Sequence, residues 1–255
     1  MADGRAVLLQ IGKSASAPEG VCLYAIGDIH GRLDLLDMLL ASIRDDRETR
    51  SEAPVILIFL GDYIDRGPDS KGVVDRLLEG FPAPFSGVFL KGNHEDLLLS
   101  FIRDPHPKLD WLRNGGDATL LSYGLDIDTV RLASWGAPQA VAEAAGRFRA
   151  ALPESHLRFY EGLELSCRLG DYLFVHAGVR PDAPLDAQSE EDLLWIRHEF
   201  LDSARDFGAV VVHGHTPARF PQERSNRIGI DTYAVRTGKL TAVGFQGQRR
   251  WFIST

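Results

Sequence analysis

The chain has 255 residues but contains two cysteines only, Cys22 and Cys167, and they do not form a C-x-x-C pair. Two isolated cysteines cannot build a disulfide framework, so both are interpreted as small buried hydrophobic residues. Long apolar runs are also lacking, because even an uninterrupted run such as residues 55–60 is short. A membrane-spanning helix needs about 20 apolar residues, so none is expected.

The beginning of the chain lacks the longer apolar core of a secretory signal, and residues 13–20 are rich in Ser, Ala, Pro and Gly. Residues 1–20 are therefore predicted to form a flexible arm, and the protein is expected to be cytoplasmic. Acidic residues outnumber basic ones, with 36 Asp and Glu against 28 Lys and Arg, so the formal net charge is -8. That charge does not favour stable binding to nucleic acids or anionic membranes. A phosphate site would need local positive charge from metals or a few arginines.

The first third of the sequence alternates between apolar strand-like segments and helix-like segments. The alternation predicts strands at residues 21–26, 55–60 and 87–90, followed by helices at residues 33–46, 70–78 and 96–102, respectively. Strands that alternate with helices indicate βαβ units with parallel strand pairing. Ligands bind beyond the carboxyl ends of the strands in such sheets, so polar residues at those ends are candidate site residues.

The remaining sequence is interpreted as part of the same domain, which covers residues 21–255. Residues 104–161 are predicted to form a helical insertion, which includes a helix at residues 140–152. Further strands are predicted at residues 163–168, 172–176, 209–213, 240–245 and 250–253. The alternating apolar residues of the last two segments favour antiparallel pairing.

Five of the predicted strand ends carry a carboxylate, an imidazole or an amide beside a glycine. They are Asp28 with His30, Asp62 with Asp65, Asn93 with His94, His176, and His213 with His215. Each cluster alone could be a helix cap or a packed histidine. Together they place oxygen and nitrogen donors without thiolates at one edge, which favours a divalent metal such as Mn, Fe or Zn.

The motifs GDIHG, GDYIDRG, GNHE, HAG and GHTP occur in this order between residues 27 and 217. In this order they resemble the signature of the calcineurin-like metallophosphoesterases, and more narrowly the phosphoprotein phosphatase family with its small bacterial and phage members. The resemblance implies an α/β metallophosphatase fold, in which a mixed β-sandwich is flanked by α-helices. It also implies a dinuclear metal centre at the strand ends.

The resemblance assigns roles to individual positions. It implies two divalent metal ions, with Mn²⁺ expected first and Fe or Zn as alternatives, and a bridging hydroxide that attacks the phosphate ester. The implied metal ligands are Asp28 and His30 for the first ion, Asp62 as a bridge, and Asn93, His176 and His215 for the second. The implied general acid is His94, oriented by Asp65, and the implied phosphate-binding residues are Arg66 and Arg197.

Some positions depart from the wider pattern or stay open. Lys91 precedes GNHE where an arginine is usual, which puts one phosphate or structural contact in doubt. Pro217 takes the place of a second histidine that many metallophosphoesterases have. His213 is interpreted as structural or as a support for a ligand. Arg180 could face the substrate or cap its loop. The histidines outside the motifs, which are interpreted as packing or solvent residues, are His106, His156 and His198.

The predicted activity is that of a phosphoesterase, and WLRNGG at residues 111–116 favours a Ser/Thr protein phosphatase. Its substrate would be a phosphoprotein or a small phosphoester. The alternative enzyme is a symmetrical bis(5'-nucleosyl)-tetraphosphatase, which hydrolyses diadenosine tetraphosphate. An alternative of another class is a non-catalytic metal-binding scaffold. A nucleic-acid phosphodiesterase is disfavoured by the net charge.

Overall fold

The computed structural model describes residues 15–50, 53–105 and 109–255, and its strands form two five-stranded sheets. The first sheet contains β1 (Cys22–Ile26), β2 (Val55–Phe59), β3 (Phe85–Phe89), β9 (Thr241–Gln246) and β10 (Arg249–Ser254). The second contains β4 (Ser166–Leu169), β5 (Tyr172–Val175), β6 (Val210–His213), β7 (Gln222–Glu223) and β8 (Arg227–Gly229). The strand orders are β10-β9-β1-β2-β3 and β4-β5-β6-β8-β7.

Both sheets are mixed, with parallel strands at their centres. β1 pairs in parallel with β2, and β2 with β3, while β9 runs antiparallel to β1. In the second sheet β6 pairs in parallel with both β5 and β8. The carboxyl ends of the parallel strands in each sheet therefore point to one edge, where the polar motifs follow.

The two sheets pack face to face around an apolar layer. Leu23 and Ile58 of the first sheet meet Phe174 and Val212 of the second in one buried cluster. Tyr24, between two inward-facing residues of β1, instead lies in the cluster on the other face of the first sheet. This alternation follows from the two-residue period of a strand, and burial on both faces explains why β1 and β2 are almost entirely apolar.

Helices cover the outer faces of both sheets. α1 (Leu33–Glu48), α2 (Ser70–Leu78) and α3 (Asn93–Arg103) contribute to the cluster on the first sheet. α9 (Glu190–Trp195) and α10 (His198–Leu201) contribute to the cluster on the second. A short 3₁₀ turn (Leu185–Ala187) precedes α9, and α11 (Ala234–Thr237) precedes β9.

The predicted insertion is helical. It contains α4 (Leu109–Trp111), a π-helical turn (Leu112–Gly116), α5 (Asp117–Ser122), α6 (Ile127–Ser134), α7 (Pro138–Ala151) and α8 (Glu154–Glu161). Asp126 caps α6 by accepting a hydrogen bond from the Thr129 amide, and Pro138 begins α7, where its missing N–H costs nothing. Trp111 is buried between the rings of Phe101 and Phe148, which fixes the insertion against α3.

Some boundaries differ from those expected. α3 begins at Asn93 rather than at residue 96, because the Glu95 carboxylate accepts from the Gly92 amide and stabilises the first turn. The strands β7 and β8 were not expected, since their short sequences are largely polar. Residues 1–14 of the predicted arm lie outside the described residues. Residues 15–17 pair with the body through two backbone hydrogen bonds, Ala17 N–H to Gly247 O and Asp171 N–H to Ser16 O.

Two further features concern the two cysteines and the helices. Cys22 is buried in β1, Cys167 is half-buried in β4, and both are free thiols. Within the described part of the chain, no helix combines the length and apolarity needed to cross a lipid bilayer.

Candidate metal centre

The loops that follow five strands bring the predicted ligands together at one edge of the sandwich. The cluster they form, called here the strand-end cluster, is almost completely buried. Its members are 0–5% exposed and comprise Asp28, His30, Asp62, Asn93, His94, His176 and His215. Backbone amides also hold its carboxylates: His215 N–H donates to Asp28 at 3.1 Å, and His94 N–H donates to Asp62 at 3.1 Å.

The backbone at this edge is strained. Among the described residues, the non-glycine residues with positive φ are His30, Asp62, Asp65, Arg66, His215 and Tyr233. Non-glycine residues rarely adopt this conformation, and they concentrate at functional sites when they do. All of them except Tyr233 were predicted as site residues from the sequence.

One half of the strand-end cluster is built around the side-chain oxygen of Asn93. Nδ1 of His176 donates to the Leu60 carbonyl at 2.8 Å, which leaves the lone pair on Nε2. That Nε2 lies 2.8 Å from Oδ1 of Asn93 and 3.5 Å from Oδ1 of Asp62. Nδ1 of His215 lies 2.9 Å from the same Asn93 oxygen. Burial lowers the pKa of His176, so its Nε2 keeps a lone pair that faces the oxygens of Asn93 and Asp62, and a shared cation fits these groups.

The other half already holds a positive group. Nδ1 of His30 donates to the Ile64 carbonyl at 2.7 Å, and burial lowers the pKa of His30 to about 3, so its Nε2 carries a lone pair. The guanidinium of Arg66 donates to this Nε2 at 2.5 Å and to Nε2 of His94 at 2.8 Å. His30 Nε2 also lies 3.5 Å from Oδ2 of Asp62. The space between Nε2 of His30 and the Asp62 carboxylate therefore attracts a cation.

Asp62 lies between the two halves. Its carboxylate is within 4.8 Å of donor atoms in two sets, His30 with His94 and Asp28 with His176. The sequence predicts Asp28 and His30 as ligands of one ion; among the described residues, the donor atoms of Asp28 also lie close to those of Asp62 and His176. A carboxylate shared by two donor sets is suited to bridge two cations, because its negative charge offsets their repulsion.

Electrostatics also favour cations at this edge. Burial raises the pKa of Asp28 well above its usual value, and the nearby carboxylates of Asp231 and Asp62 raise it further. Burial acts in the same direction on Asp62, but the imidazoles of His176 and His94 outweigh it and hold the pKa of Asp62 well below its usual range. Buried carboxylates this close repel one another, and divalent cations would relieve that repulsion.

His94 and Asp65 form a buried pair beside the cluster. Nδ1 of His94 donates to Oδ2 of Asp65 at 2.6 Å, and Nε2 of His94 lies 3.9 Å from Asp62. Burial lowers the pKa of His94, but the carboxylates of Asp62 and Asp65 outweigh it, so the pKa is raised overall. Asp65 also accepts from Trp111 and Thr119, two donors that sequence reasoning did not identify.

The two predicted phosphate-binding arginines lie on opposite sides of the cluster. Arg66 contacts His30 and His94, and Arg197 donates from Nε to Nε2 of His215 at 3.1 Å. Both arginines are exposed, so their remaining N–H groups can reach a ligand in solvent.

The open positions have structural partners. Lys91 forms ion pairs with Glu190 at 2.8 Å and with Asp96 at 3.3 Å. Arg180 donates to Asp192 at 2.9 Å, which stabilises its own loop. These ion pairs neutralise Lys91 and Arg180, so neither residue needs a ligand as its partner.

The remaining histidines have different surroundings. Burial lowers the pKa of His213 to about 3, and its ring packs against Phe200 outside both donor sets. His156 is buried between Asp75 and Tyr123 in the insertion region. His198 is exposed at its side chain, and His106 lies outside the described residues.

One supporting residue was overlooked, although it belongs to a recognised motif. The Glu95 carboxylate accepts hydrogen bonds from the amides of Asp62, Tyr63 and Gly92, each at 2.9 Å. It therefore ties the loop after β2 to the start of α3. Its place as the last residue of GNHE was the signal that could have identified it.

Comparisons with known proteins identify the family. The family model for calcineurin-like phosphoesterases matches residues 23–241. Serine/threonine-protein phosphatase 1 of Salmonella typhimurium is 31% identical over 229 residues, which cover 88% of this chain and 92% of that protein. The asymmetrical bis(5'-nucleosyl)-tetraphosphatase PrpE of Anoxybacillus flavithermus is 26% identical over 242 residues, with coverages of 86% and 89%.

A solved structure shows the same fold. This crystal structure, provisionally described as a diadenosine tetraphosphatase, has a TM-score of 0.60 and 24% identity, and the match covers 91% of this chain and 93% of that one. The relative from Anoxybacillus flavithermus is an asymmetrical tetraphosphatase, whereas the alternative enzyme predicted from the sequence is a symmetrical tetraphosphatase. The chain belongs to the calcineurin-like phosphoesterase family and is a metal-dependent phosphoesterase of the hydrolase class.

Proposed function

We propose that the protein is a Ser/Thr protein phosphatase that hydrolyses phosphomonoesters. The observation that carries the phosphomonoesterase chemistry is the His94–Asp65 pair directly beside the strand-end cluster. This pair places a proton donor next to donor groups for two cations. The protein class is supported by the relative from Salmonella typhimurium, which matches over most of its own length.

The proposed ligand sets are those that the sequence motifs predict, with Asp62 shared between them. Asp28, His30 and Asp62 would hold one divalent cation, and Asp62 would share the second with the remaining ligands, which are Asn93, His176 and His215. Mn²⁺ is the proposed ion, since this mixed oxygen and nitrogen set suits borderline cations. When bound, two such ions supply Lewis acidity and lower the pKa of a water molecule.

The two arginines would bind and orient the phosphoryl group. A guanidinium matches phosphate oxygens through two parallel N–H bonds, which an ammonium cannot do. Arg66 and Arg197 lie on opposite sides of the cluster, so together they would hold the phosphoryl group from two directions. This arrangement aligns the ester bond and raises the effective concentration of the reacting groups.

His94 would act as the general acid. Its Nδ1–H is held by Asp65, so Nε2 faces the cluster and can carry the proton that the leaving oxygen requires. The Asp65 carboxylate fixes the orientation of the ring through this hydrogen bond. A serine or threonine alkoxide is a strong base, so a phosphoprotein substrate gains much from this proton.

The test is a substrate panel with the purified, Mn²⁺-loaded protein. We expect phosphate release from p-nitrophenyl phosphate and from phosphoserine and phosphothreonine peptides, with higher kcat/KM for the peptides than for diadenosine tetraphosphate. No hydrolysis of any phosphoester would instead support the non-catalytic scaffold.

A second candidate is a dinucleoside tetraphosphatase, which the similarity to PrpE supports. Its products distinguish the types, because asymmetrical cleavage of diadenosine tetraphosphate releases ATP and AMP, whereas symmetrical cleavage releases two ADP. Faster turnover of this dinucleotide than of every phosphopeptide would replace the protein phosphatase proposal.

A further inference from the structure

The carboxylate of Asp65 receives three side-chain hydrogen bonds in a completely buried position. Oδ2 accepts from Nδ1 of His94 at 2.6 Å and from Nε1 of Trp111 at 2.8 Å, and Oδ1 accepts from Oγ1 of Thr119 at 2.6 Å. Asp65, Trp111 and Thr119 are each 0% exposed. Because both oxygens are bound, the carboxylate cannot rotate without breaking a buried hydrogen bond, which is costly.

The backbone at this point is held by the same region of the chain. The Asp65 N–H lies 3.0 Å from both Ser70 Oγ and Thr119 Oγ1, and these two hydroxyl oxygens lie 3.0 Å apart. The Arg66 N–H donates to the Gly115 carbonyl at 3.0 Å. Asp65 has a φ of 73°, so these bonds stabilise a conformation that the residue alone would disfavour.

The partners of Asp65 come from a distant part of the chain. Trp111 lies 46 residues and Thr119 lies 54 residues beyond Asp65, both within the helical insertion. The Trp111 ring is fixed by Phe101 at 4.7 Å and by Phe148 at 6.1 Å between ring centroids. The insertion therefore reaches behind the strand-end cluster, in addition to any contact it makes with a substrate.

We infer that Trp111 and Thr119 are positioning residues, which act through Asp65 to aim Nε2 of His94 at the leaving oxygen; this inference rests on the proposed function. In the reaction the bond between phosphorus and the leaving oxygen breaks, and a water molecule supplies the new oxygen. The proton on Nε2 of His94 moves to the leaving oxygen, while the proton on Nδ1 stays on His94 and remains hydrogen-bonded to Asp65. The water molecule loses a proton to solvent, and a proton from solvent restores Nε2. Without the indole N–H or the hydroxyl, the carboxylate turns and the ring follows it.

Leaving-group dependence tests this role. The variants are Trp111→Phe, which keeps an aromatic ring but removes the N–H, and Thr119→Val, which keeps the shape but removes the hydroxyl. Phenyl phosphate needs protonation of its leaving oxygen more than p-nitrophenyl phosphate does. We expect each variant to lower kcat for phenyl phosphate by about 10- to 100-fold, as for the loss of one hydrogen bond to a charged group, and for p-nitrophenyl phosphate by less than about threefold.

Two controls separate positioning from general damage to the insertion. Thr119→Ser restores the hydroxyl and should recover the wild-type ratio between the two substrates. Tyr123→Phe removes a buried hydroxyl that contacts His156 and Tyr160 in the same region, and it should leave that ratio unchanged. In a His94→Asn background, Trp111→Phe should have almost no further effect, because both changes remove the same contribution.

The outcomes are distinct from those of the functional proposal. Equal losses on both aryl phosphates, or additive effects with His94→Asn, would overturn the positioning role while leaving the phosphatase intact. If the wild-type protein loaded with Mn²⁺ hydrolyses neither aryl phosphate, the proposed function itself fails.

Discussion

Asp62 and His176 belong to loops from different sheets, and their Oδ1 and Nε2 atoms lie 3.5 Å apart at the edge of the sandwich. The two residues are separated by more than a hundred positions, so packing between the sheets holds them together. The donor atoms on either side of Asp62 therefore depend on the sandwich as a whole. Asp62 and His176 would hold a metal, whereas His94 beside them would act on the substrate.

Variants at Asp62 and His94 should differ in metal content. Asp62→Asn removes the negative charge shared by two donor sets, so we expect loss of bound metal together with activity. His94→Asn keeps the ligands and should lower kcat for phosphopeptide by about 10²- to 10⁴-fold with the metal retained. Metal analysis of both proteins after gel filtration, beside a kcat measurement, checks this. Equal metal content in the two variants would contradict the separation of ligand and acid.

Removal of metal should abolish activity and lower stability. A ligand that binds only the folded protein stabilises it by about 2.7 kcal/mol at a hundredfold excess over its Kd. We therefore expect the chelator-treated protein to melt at a lower temperature, with Mn²⁺ restoring both the Tm and phosphate release. Asp62→Asn is the matched control and should show a much smaller shift on Mn²⁺ addition. An equal shift in this variant would place the stabilising ion elsewhere.

Much of the cluster could be predicted from the sequence because its residues directly follow strands with a strong apolar pattern. Asp28, Asp62 and His176 are examples, and the paired strand ends bring them together. The contacts of Asp65 with Trp111 and Thr119 could not be predicted, since they depend on how a long helical insertion folds back. Local periodicity reports which face of an element is buried, but it does not report which distant side chain meets it.

The short strands show the same limit. β8 is an Arg-Ile-Gly segment whose strand conformation comes from pairing with β6 rather than from its composition. Similarly, the helical propensity of α3 did not reveal its first turn, which the Glu95 carboxylate stabilises. Tertiary pairing overrides local preference in such cases.

Asp46 should give the protein an acid-sensitive contribution to stability. It accepts from Tyr24 at 2.6 Å, from Arg50 at 2.7 Å and from Trp251 at 2.9 Å, joining α1 to β1 and β10. Burial raises the pKa of Asp46, but the hydrogen bonds from Arg50 and Tyr24 outweigh it and leave the pKa lowered. The ionised carboxylate therefore stabilises the fold above the unfolded-state pKa of about 3.9, and this contribution is lost as the pH falls through the folded-state pKa.

We accordingly expect Asp46→Asn to lower the free energy of unfolding by about 1–3 kcal/mol at pH 7, with the difference from wild type shrinking below about pH 4. Urea denaturation across this pH range measures it. The adjacent exposed Asp45→Asn is the control and should change stability by less than about 0.5 kcal/mol. A difference for Asp46→Asn that stays constant down to pH 2 would show that the charge is not responsible.

Phe245 should be a major contributor to the packing between the sheets. It lies on β9 with no exposed surface, and its ring centroid is 4.3 Å from that of Tyr172 and 5.9 Å from that of Phe174 in the second sheet. Phe245→Ala leaves a cavity between the sheets and should lower the free energy of unfolding by about 3–5 kcal/mol.

The comparison residue is Phe252 on β10, which is 39% exposed. Because Phe252→Ala removes a ring that already contacts solvent, we expect a loss of about 1 kcal/mol or less in urea denaturation of the metal-free protein. Since sheet packing holds Asp62 against His176, Phe245→Ala should also weaken Mn²⁺ binding, whereas Phe252→Ala should not. A destabilised Phe245→Ala protein with unchanged Mn²⁺ affinity would mean that the ligands keep their geometry without tight contact between the sheets.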